Sequence, residues 1–261
     1  MSRSLVRHSF ARHASILDGK LRRRTLIQMK ISSTKTGLRL SQHGVVISEM
    51  RTSPGPTHSV FDVLASLIVI LKPTGRVGVM GFAGGGMMAP LRALGCSSTI
   101  HSVDLDRSGF DLFHKHCSSW AGPVDWSHSD AAEWLRQQPR TFDLLMDDLS
   151  IPENGDVFKP SISWGTLPKL IRARLQPDGI AVFNLLKPPQ GSWDSHLQKI
   201  TAEFGMALVI HLDRFENRIL IAGRNLPSAR ALGSSVRTHL AKLRSTQAKE
   251  IHIRSYTPKV G

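Results

Sequence analysis

The chain has 261 residues, of which 41% are hydrophobic and 21% are charged. This composition is typical of a globular protein with one large core and excludes a disordered or fibrous chain. The formal net charge of +14 is concentrated at the two ends, because residues 41–236 hold eighteen basic and eighteen acidic side chains. The middle of the chain therefore lacks the basic excess of a nucleic-acid groove, whereas the ends could bind RNA or an anionic lipid surface weakly.

The cysteines and the apolar runs bear on the compartment. Cys96 and Cys117 cannot form a disulfide framework, which favours a reducing environment. The longest apolar run, Leu64–Leu71, is far shorter than the roughly 20 residues of a membrane-spanning helix. Residues 1–25 are rich in Arg and Ser and nearly free of acids, which fits an organellar presequence or a basic leader. We expect a cytoplasmic protein, or a mitochondrial or chloroplast one if residues 1–35 are a presequence.

The first elements in chain order are a hairpin and a helix. Residues 36–50 alternate apolar and polar side chains around His43-Gly44, which predicts a β-hairpin, and a Pro/Gly turn follows at residues 52–56. Ser59 is a candidate N-cap for an apolar helix that starts directly after it. We therefore predict a basic, disordered leader at 1–35 and a hairpin with its turn at 36–58.

From residue 76 the chain alternates short apolar strands with helices, which predicts an α/β fold with a mainly parallel sheet. Two consecutive strands at the end of this region predict an antiparallel edge. This main domain is predicted at 59–227, followed by a basic helix and loose tail at 228–261. The predicted strands are Arg76–Gly81, Thr99–Val103, Val124–Ser127, Phe142–Asp147, Ile180–Leu185, Ala207–His211 and Arg218–Ala222. The predicted helices between them are Met87–Leu94, Gly109–Trp120, Ala131–Gln137, Leu167–Leu175 and Trp193–Phe204.

The first of these strands ends in a glycine-rich loop, Gly81-Phe82-Ala83-Gly84-Gly85-Gly86, directly before a helix. Glycines let the backbone turn sharply and approach a ligand closely, and a helix start presents free N–H groups. A tight structural turn would use fewer glycines. The spacing is not that of a dinucleotide fingerprint, because Ala83 stands at the position of its second glycine.

The next strand ends introduce carboxylates at the same edge of the sheet. Asp104 follows the second strand, about 20 residues after the loop, where an acid can accept hydrogen bonds from both hydroxyls of a ribose. Asp106 suits a helix N-cap better. Asp130, directly before Ala131, could accept from the exocyclic amine of an adenine or simply cap its helix.

The fourth strand ends in two adjacent acids, Asp147 and Asp148. Partial burial and a neighbouring carboxylate raise the pKa of such a group, so one of them could act as a base toward an acceptor, although turn chemistry also places acids there. Trp164 is a candidate wall of an acceptor pocket. No metal site is expected, because no Cys/His set has zinc-site spacing.

At these residues the chain resembles the Rossmann-like class I S-adenosylmethionine-dependent methyltransferase fold and, within it, the spermidine synthase-like branch, over residues 37–222. The resemblance implies a seven-stranded sheet with a small N-terminal β-hairpin and an adenosyl ligand on the glycine loop. The donor that the resemblance implies is S-adenosylmethionine or its decarboxylated form. The segment Thr57-His58-Ser59 is similar to a Tyr-His-Glu triplet of that branch, of which His58 alone matches. The donor-binding residues implied are Gly81, Phe82, Ala83, Gly84, Gly86, Asp104, Leu105, Asp130, Ala131 and Asp147.

Two departures concern the activity. Aminopropyltransferases carry an acid inside the glycine loop, where this chain has Gly84. They also carry Asp-Ser-x-Asp-Pro after the fourth strand, where this chain keeps Asp148 but has Ile151 at the second acid. A polyamine needs several carboxylates to replace its hydration, so spermidine synthesis is the less favoured activity.

The leading prediction is a methyltransferase-like enzyme that acts on an unknown small-molecule acceptor near Asp148 and His58. The alternatives are an aminopropyltransferase with altered substrate contacts and a non-catalytic adenosyl-binding scaffold. The sequence does not decide whether the chain forms a homodimer.

Overall fold

The structure is a computed structural model that describes residues 29–153, 155–188 and 190–257. Most of the predicted leader, residues 1–28, lies outside this range. Its end, however, is not disordered, because Lys30–Thr34 forms strand β1. This strand pairs antiparallel with Gly37–Gln42 over five residues, so backbone hydrogen bonding orders a segment that composition alone marks as a leader.

The N-terminal β-sheet contains the predicted hairpin and one further strand. The hairpin strands are β2 (Gly37–Gln42) and β3 (Val45–Arg51), and β1 adds to the outer side of β2. His43 and Gly44 connect β2 to β3 with φ values of 49° and 83°. Two central residues with positive φ match the right-handed twist of a two-residue hairpin, so this prediction is confirmed.

Within the described residues, the central sheet has eight strands in the order β13-β11-β12-β10-β7-β4-β5-β6. The five strands from β10 to β6 run parallel, and β12, β11 and β13 continue the sheet antiparallel. All seven predicted strands are present, with the predicted antiparallel edge. The bounds are β4 Val77–Met80, β5 Ile100–Asp104, β6 Val124–His128, β7 Phe142–Asp147, β10 Leu175–Leu185, β11 Met206–Leu212, β12 Phe215–Gly223 and β13 Ile251–Tyr256. A separate small hairpin consists of β8 (Ile151–Glu153) and β9 (Asp156–Phe158).

Helices cover both faces of the central sheet. Helices α1, α2, α3 and α7 pack on one face and α4, α5 and α6 on the other. Strand β10 shows why the strands have continuous apolar sequences. Ile180 and Val182 pack on the face covered by α1, α2, α3 and α7, whereas Ala181 and Phe183 pack on the opposite face. The helices are α1 Val60–Leu71, α2 Met88–Ala93, α3 Arg107–Cys117, α4 Ala131–Gln137, α5 Thr166–Arg174, α6 Trp193–Thr201 and α7 Ala229–Leu243.

The C-terminal region corrects one prediction. Helix α7 begins after the N-cap Ser228, as expected. The following segment is not a loose tail, because Ile251–Tyr256 forms β13 and pairs with all but one residue of β11. Without β13, strand β11 would leave an open row of backbone groups at the sheet edge. Within the described residues, the helices are too short or too polar to cross a membrane.

Candidate functional site

A cavity of about 1670 Å³ lies at the carboxyl ends of the parallel strands. The N-terminal sheet forms one wall, and the β8–β9 hairpin forms part of another. The sheet and the hairpin are in contact, because the backbone N–H of Gly155 donates to the carbonyl of His43 at 3.1 Å. Nine of the sequence-predicted site residues line this cavity: His58, Gly81, Phe82, Ala83, Asp104, Leu105, Asp130, Ala131 and Asp148.

Asp104 and the start of the glycine loop form one hydrogen-bonded unit. Asp104 Oδ2 accepts from the backbone N–H of Ala83 at 2.7 Å, and its Oδ1 accepts from the N–H of Asp106 at 3.0 Å. Ala83 itself has a φ of 44°, so the carboxylate stabilises a strained turn. Burial raises the pKa of the Asp104 carboxyl, although these N–H donors oppose the shift. A carboxylate has about four acceptor positions, so both oxygens can still accept from a ligand.

Two loop positions require glycine for different neighbours. Gly81 has a φ of 89°, and a Cβ there would lie 2.7 Å from the carbonyl oxygen of Asp148. A Cβ at Gly84 would lie 2.9 Å from Leu40 Cδ2 and 3.2 Å from Ser48 Oγ of the N-terminal sheet. Gly84 is therefore buried against that sheet and does not line the cavity.

Gly86 was also predicted to bind the donor. A Cβ there would lie 2.8 Å from the Phe61 ring, and Gly86 is likewise buried outside the cavity lining. A further glycine that the sequence interpretation missed is Gly109 in α3, where a Cβ would lie 2.1 Å from the carbonyl oxygen of Ala83. Its only sequence signal is its place in the first turn of α3, five residues after Asp104.

Asp130 caps α4. Its Oδ1 accepts from the backbone N–H groups of Ala132 and Glu133 at 2.9 and 3.1 Å. The N-cap interpretation is thus confirmed, and both cap bonds go to the same oxygen. Because Asp130 and Ala131 also line the cavity, the capped carboxylate lies at its edge.

The two acids after β7 have different surroundings. Asp147 is fully buried and does not line the cavity. Its Oδ1 accepts from Lys159 Nζ at 2.8 Å, and both side chains are fully inaccessible to solvent. Lys159 Nζ also donates to the carbonyls of Asp147 and Leu149, so the base of the β8–β9 hairpin is fastened to the end of β7. Strand alternation places Asp147 and Asp148 on opposite sides of the chain, and the pair with Lys159 holds Asp147 away from the cavity in which it was predicted.

Asp148 faces the cavity and belongs to a chain of amides. Asn184 Nδ2 donates to Asp148 Oδ1 at 2.7 Å, and Asn217 Nδ2 donates to Asn184 Oδ1 at 2.8 Å. Asn217 thereby fixes which end of the Asn184 amide points at Asp148. Burial raises the pKa of Asp148 to about 6, while the bond from Asn184 and the charge of Lys159 oppose that shift.

The sequence interpretation missed both asparagines, which line the same cavity. Asn184 lies in a strand whose other inward-facing residues are apolar, and a polar residue in such a run is the signal that could have found it. Asn217 has no comparable signal, because it precedes the apolar part of β12.

His58 lies at the mouth of the cavity, in a turn that a hydrogen bond stabilises. Its φ is 57°, and its backbone N–H donates to Asp62 Oδ2 at 2.9 Å. Its Nδ1 is 3.4 Å from the backbone N–H of Thr246. Trp164, the candidate acceptor wall, does not line the cavity and packs edge-on against His196 with ring centroids 4.7 Å apart.

The charge of the cavity is opposite to that of the chain. Among the described residues, seven carboxylates and one arginine line it; Arg107 is paired with Asp111 at 3.1 Å, and Glu49 is paired with Arg39. Within the described residues no cluster of three or more His, Cys, Asp or Glu side chains could hold a metal ion. The local field therefore favours a ligand that carries positive charge.

No protein-family model and no curated protein sequence matches the chain. Solved structures do. A probable spermidine synthase from Corynebacterium glutamicum is 17% identical, with a TM-score of 0.65 over 88% of this chain and 87% of that one. Human methyltransferase-like protein 13 in complex with SAH is 19% identical, with a TM-score of 0.54 over 72% and 92%.

A spermidine synthase in complex with the transition state analogue AdoDATO is 12% identical, with a TM-score of 0.60 over 78% of this chain and 72% of that one. The predicted resemblance is confirmed at the level of the fold. The chain has the Rossmann-like fold that S-adenosylmethionine-dependent methyltransferases share with spermidine synthases.

Proposed function

We propose that this protein is a transferase that takes an S-adenosylmethionine-type donor and uses it to methylate a small acceptor. The observation that carries the proposal is the hydrogen bond from the backbone N–H of Ala83 to Asp104, two residues that line the cavity. The ribose hydroxyls donate to the oxygens of Asp104, and Leu105 beside it offers an exposed apolar side chain for the adenine. Two of the similar structures contain ligands of this type, SAH and AdoDATO.

Asp148 is the base of the proposed reaction. Its pKa of about 6 leaves it largely ionised at neutral pH and still basic enough to accept a proton from an acceptor. Asn184 occupies Oδ1, so Oδ2 is the oxygen that takes the proton. The donor supplies an electrophilic methyl group on a sulfonium, and the chain contributes in-line positioning, proton removal and a negative field around the cation.

The surroundings of Gly84 favour the intact donor over its decarboxylated form. By the resemblance, an acid at this position holds the amine of the decarboxylated donor. Here a side chain at Gly84 would overlap Leu40 and Ser48. The N-terminal sheet occupies the volume that such an acid needs.

A second candidate function is aminopropyl transfer, which the cavity carboxylates favour. Glu49 of the N-terminal sheet, which is paired with Arg39, and Glu153 of the β8–β9 hairpin line the cavity together with Asp148. Several carboxylates in one cavity suit a polycationic acceptor. The third hypothesis is a scaffold that binds the donor without turnover. It predicts that the protein binds the donor but transfers neither methyl nor aminopropyl groups.

Calorimetry with three ligands tests the donor assignment. We expect S-adenosylmethionine and S-adenosylhomocysteine to bind at least about 10-fold more tightly than decarboxylated S-adenosylmethionine, because no acid stands at position 84. Tighter binding of the decarboxylated donor would reverse the order of the two candidate functions. Absence of binding by all three would reject the shared premise.

Labelled donors test the reaction. Methyl-labelled S-adenosylmethionine, incubated with the protein and a small-molecule fraction of a cell extract, is expected to pass its label to a new product. Methyl-labelled decarboxylated donor with putrescine gives labelled methylthioadenosine if the protein transfers aminopropyl groups instead. Asp148→Asn is the matched inactive variant, since it keeps the acceptor oxygen for Asn184.

A further inference from the structure

A second, smaller pocket of about 310 Å³ lies beside the mouth of the large cavity. The two share Phe215 and Asn217 in their linings, so the small pocket continues from the wall that carries the amide chain to Asp148. The end of β10, the start of α6 and the β11–β12 connection surround it. Its other lining residues are Lys187, Trp193, His211, Leu212, Glu216 and Arg218.

Basic side chains gather here because of strand register. His211 is paired with Arg218 on one side and with His252 on the other, so these three side chains form a row across β12, β11 and β13 on one face. Arg254 lies on the same face, two residues along β13 from His252. Lys187 follows the end of β10 and lines the pocket together with His211 and Arg218.

These cations are not neutralised within the described part of the chain. Lys187, Arg218 and Arg254 form no ion pair there. Glu216, the carboxylate of the pocket lining, is exposed and forms no ion pair with either Lys187 or Arg218.

The acids in the vicinity have other partners. Asp213 pairs with His252 at 3.0 Å, and Asp194 Oδ1 accepts from the Tyr256 hydroxyl at 3.1 Å. The two charges of Arg218 and Lys187 outweigh that of Glu216, so the pocket lining keeps a net positive charge for a ligand.

Arg218 is held in place for such a ligand. Its guanidinium lies 4.2 Å above the centre of the Trp193 ring, which fixes its plane without using its N–H donors. Burial, and then the charge of Arg254, lower the pKa of Arg218. His211 Nε2 is buried without a hydrogen-bond partner among the described residues, and burial followed by the charges of Arg218 and Arg254 lowers the pKa of its ring.

We propose that this pocket is an oxyanion subsite in which Arg218 and Lys187 bind a phosphate or carboxylate group of the acceptor substrate. The inference rests on the proposed function, since it places the acceptor between the anion subsite and Asp148. Arg218 offers a planar pair of N–H donors, and Lys187 supplies a second charge from the facing loop. The acceptor is thus an acidic or phosphorylated small molecule whose reacting group extends past Asn217 into the large cavity.

Inorganic phosphate and acetate, titrated by calorimetry at constant ionic strength, test the subsite. We expect one of them to bind wild-type protein with a dissociation constant below about 10 mM, and the tighter of the two identifies the group. Arg218→Gln should weaken binding at least about 10-fold, and Lys187→Gln at least about 3-fold. Arg224→Gln removes the same charge from an exposed position at the other end of β12 and should change binding less than about 2-fold.

Equal losses in Lys187→Gln and Arg224→Gln would overturn the proposal, because they would indicate only a nonspecific charge effect. Absence of phosphate and acetate binding would also overturn it. Lys187 is exposed and contributes nothing to the core, so its variant keeps the test valid if Arg218→Gln folds poorly.

The same titration on protein saturated with S-adenosylhomocysteine separates the two proposals. We expect the anion to bind there within about 2-fold of its affinity for the free protein. Competition between the two ligands would reject an acceptor subsite. If the anion binds but S-adenosylhomocysteine does not, the donor proposal fails while the oxyanion pocket stands as a binding site.

Discussion

The parallel and antiparallel halves of the central sheet carry opposite charges at the same side of the molecule. In the parallel half, Asp104, Asp130 and Asp148 follow consecutive strands and line the large cavity. In the antiparallel half, Arg218 lines the adjoining pocket, together with Lys187 from the loop that follows β10. A net charge of +14 indicates neither arrangement. Strand direction accounts for part of the contrast: parallel strands lead into loops and helix starts whose free N–H groups favour carboxylates.

The two halves also differ in how their charged groups are stabilised. Asp104 and Asp130 both accept hydrogen bonds from backbone N–H groups, so they belong to the local fold. Arg218 is held by an aromatic ring and keeps its donors free. Substitutions in the parallel half should therefore change stability as well as binding, whereas those in the antiparallel half should change binding first.

The largest expected effect concerns Lys159, a buried cation that pairs with Asp147 at the end of β7. Lys159→Met leaves Asp147 as an unpaired buried charge and should lower the free energy of unfolding by about 3–5 kcal/mol. Chemical denaturation measures this. The double variant Asp147→Leu, Lys159→Met should recover much of the loss, and a single-variant loss below about 1 kcal/mol would contradict a tight buried pair.

Gly109→Ala tests the packing of α3 against the glycine loop. The added Cβ would lie 2.1 Å from the Ala83 carbonyl oxygen, so the loop must move, at a cost of about 2–3 kcal/mol in stability. Affinity for S-adenosylhomocysteine should fall in parallel. Gly205→Ala is the control, because a Cβ there meets no atom closer than 4.0 Å. Equal behaviour of the two variants would mean that the loop tolerates displacement.

Asp148→Asn is expected to stabilise the protein. Burial raises the pKa of Asp148 to about 6, so the folded protein holds this proton more tightly than the unfolded chain does. The stability that this gives is fully present below pH 4 and is lost as the pH rises toward 6. The variant should gain about 1–3 kcal/mol at pH 7.5 and less than half of that at pH 4.5. Thermal or urea unfolding at both pH values checks this. A gain that is independent of pH would contradict the assigned cause, and the exposed Asp111→Asn should show no comparable gain.

A smaller effect distinguishes the two asparagines that support Asp148. Asn184→Ala removes the hydrogen bond that lowers the pKa of Asp148 and should raise it by about one unit. Asn217→Ala should raise it less, since it only releases the orientation of Asn184. Carbon NMR titration of the carboxyl groups measures both shifts. A lowered pKa in either variant would contradict the direction of the amide chain.

The sequence predicted the parallel strands well, because strands buried on both faces read as apolar runs that turn residues interrupt. It failed at Ile251–Tyr256, where Ile251 and Ile253 alternate with polar residues too briefly to distinguish a strand from a tail. Pairing with β11 orders this segment, and that partner lies some 40 residues away. Strand β1 was missed for a different reason: its partner β2 follows after only two residues, but all five residues of Lys30–Thr34 are exposed, so they show no alternation that would mark a strand.

The candidate site was predictable in outline and not in detail. Asp104 and Asp148 could be placed from their position after apolar strands. Which of Asp147 and Asp148 faces the cavity depends on Lys159, which comes from a hairpin that the sequence did not predict. Similarly, the glycine at 84 looks like a ligand-binding residue until the N-terminal sheet is packed against it. Long-range packing, which leaves no local pattern, decides both.

The most direct test of the central claim is calorimetric titration of S-adenosylhomocysteine into wild-type protein, Asp104→Asn and Asp125→Asn. Asp125 lies on the neighbouring strand β6 and pairs with His101 outside the cavity, so its variant controls for the loss of a carboxylate. We predict binding by the wild type and by Asp125→Asn, with at least about 10-fold weaker binding by Asp104→Asn. Equal affinity of all three proteins, or no binding at all, would contradict an adenosyl site at Asp104.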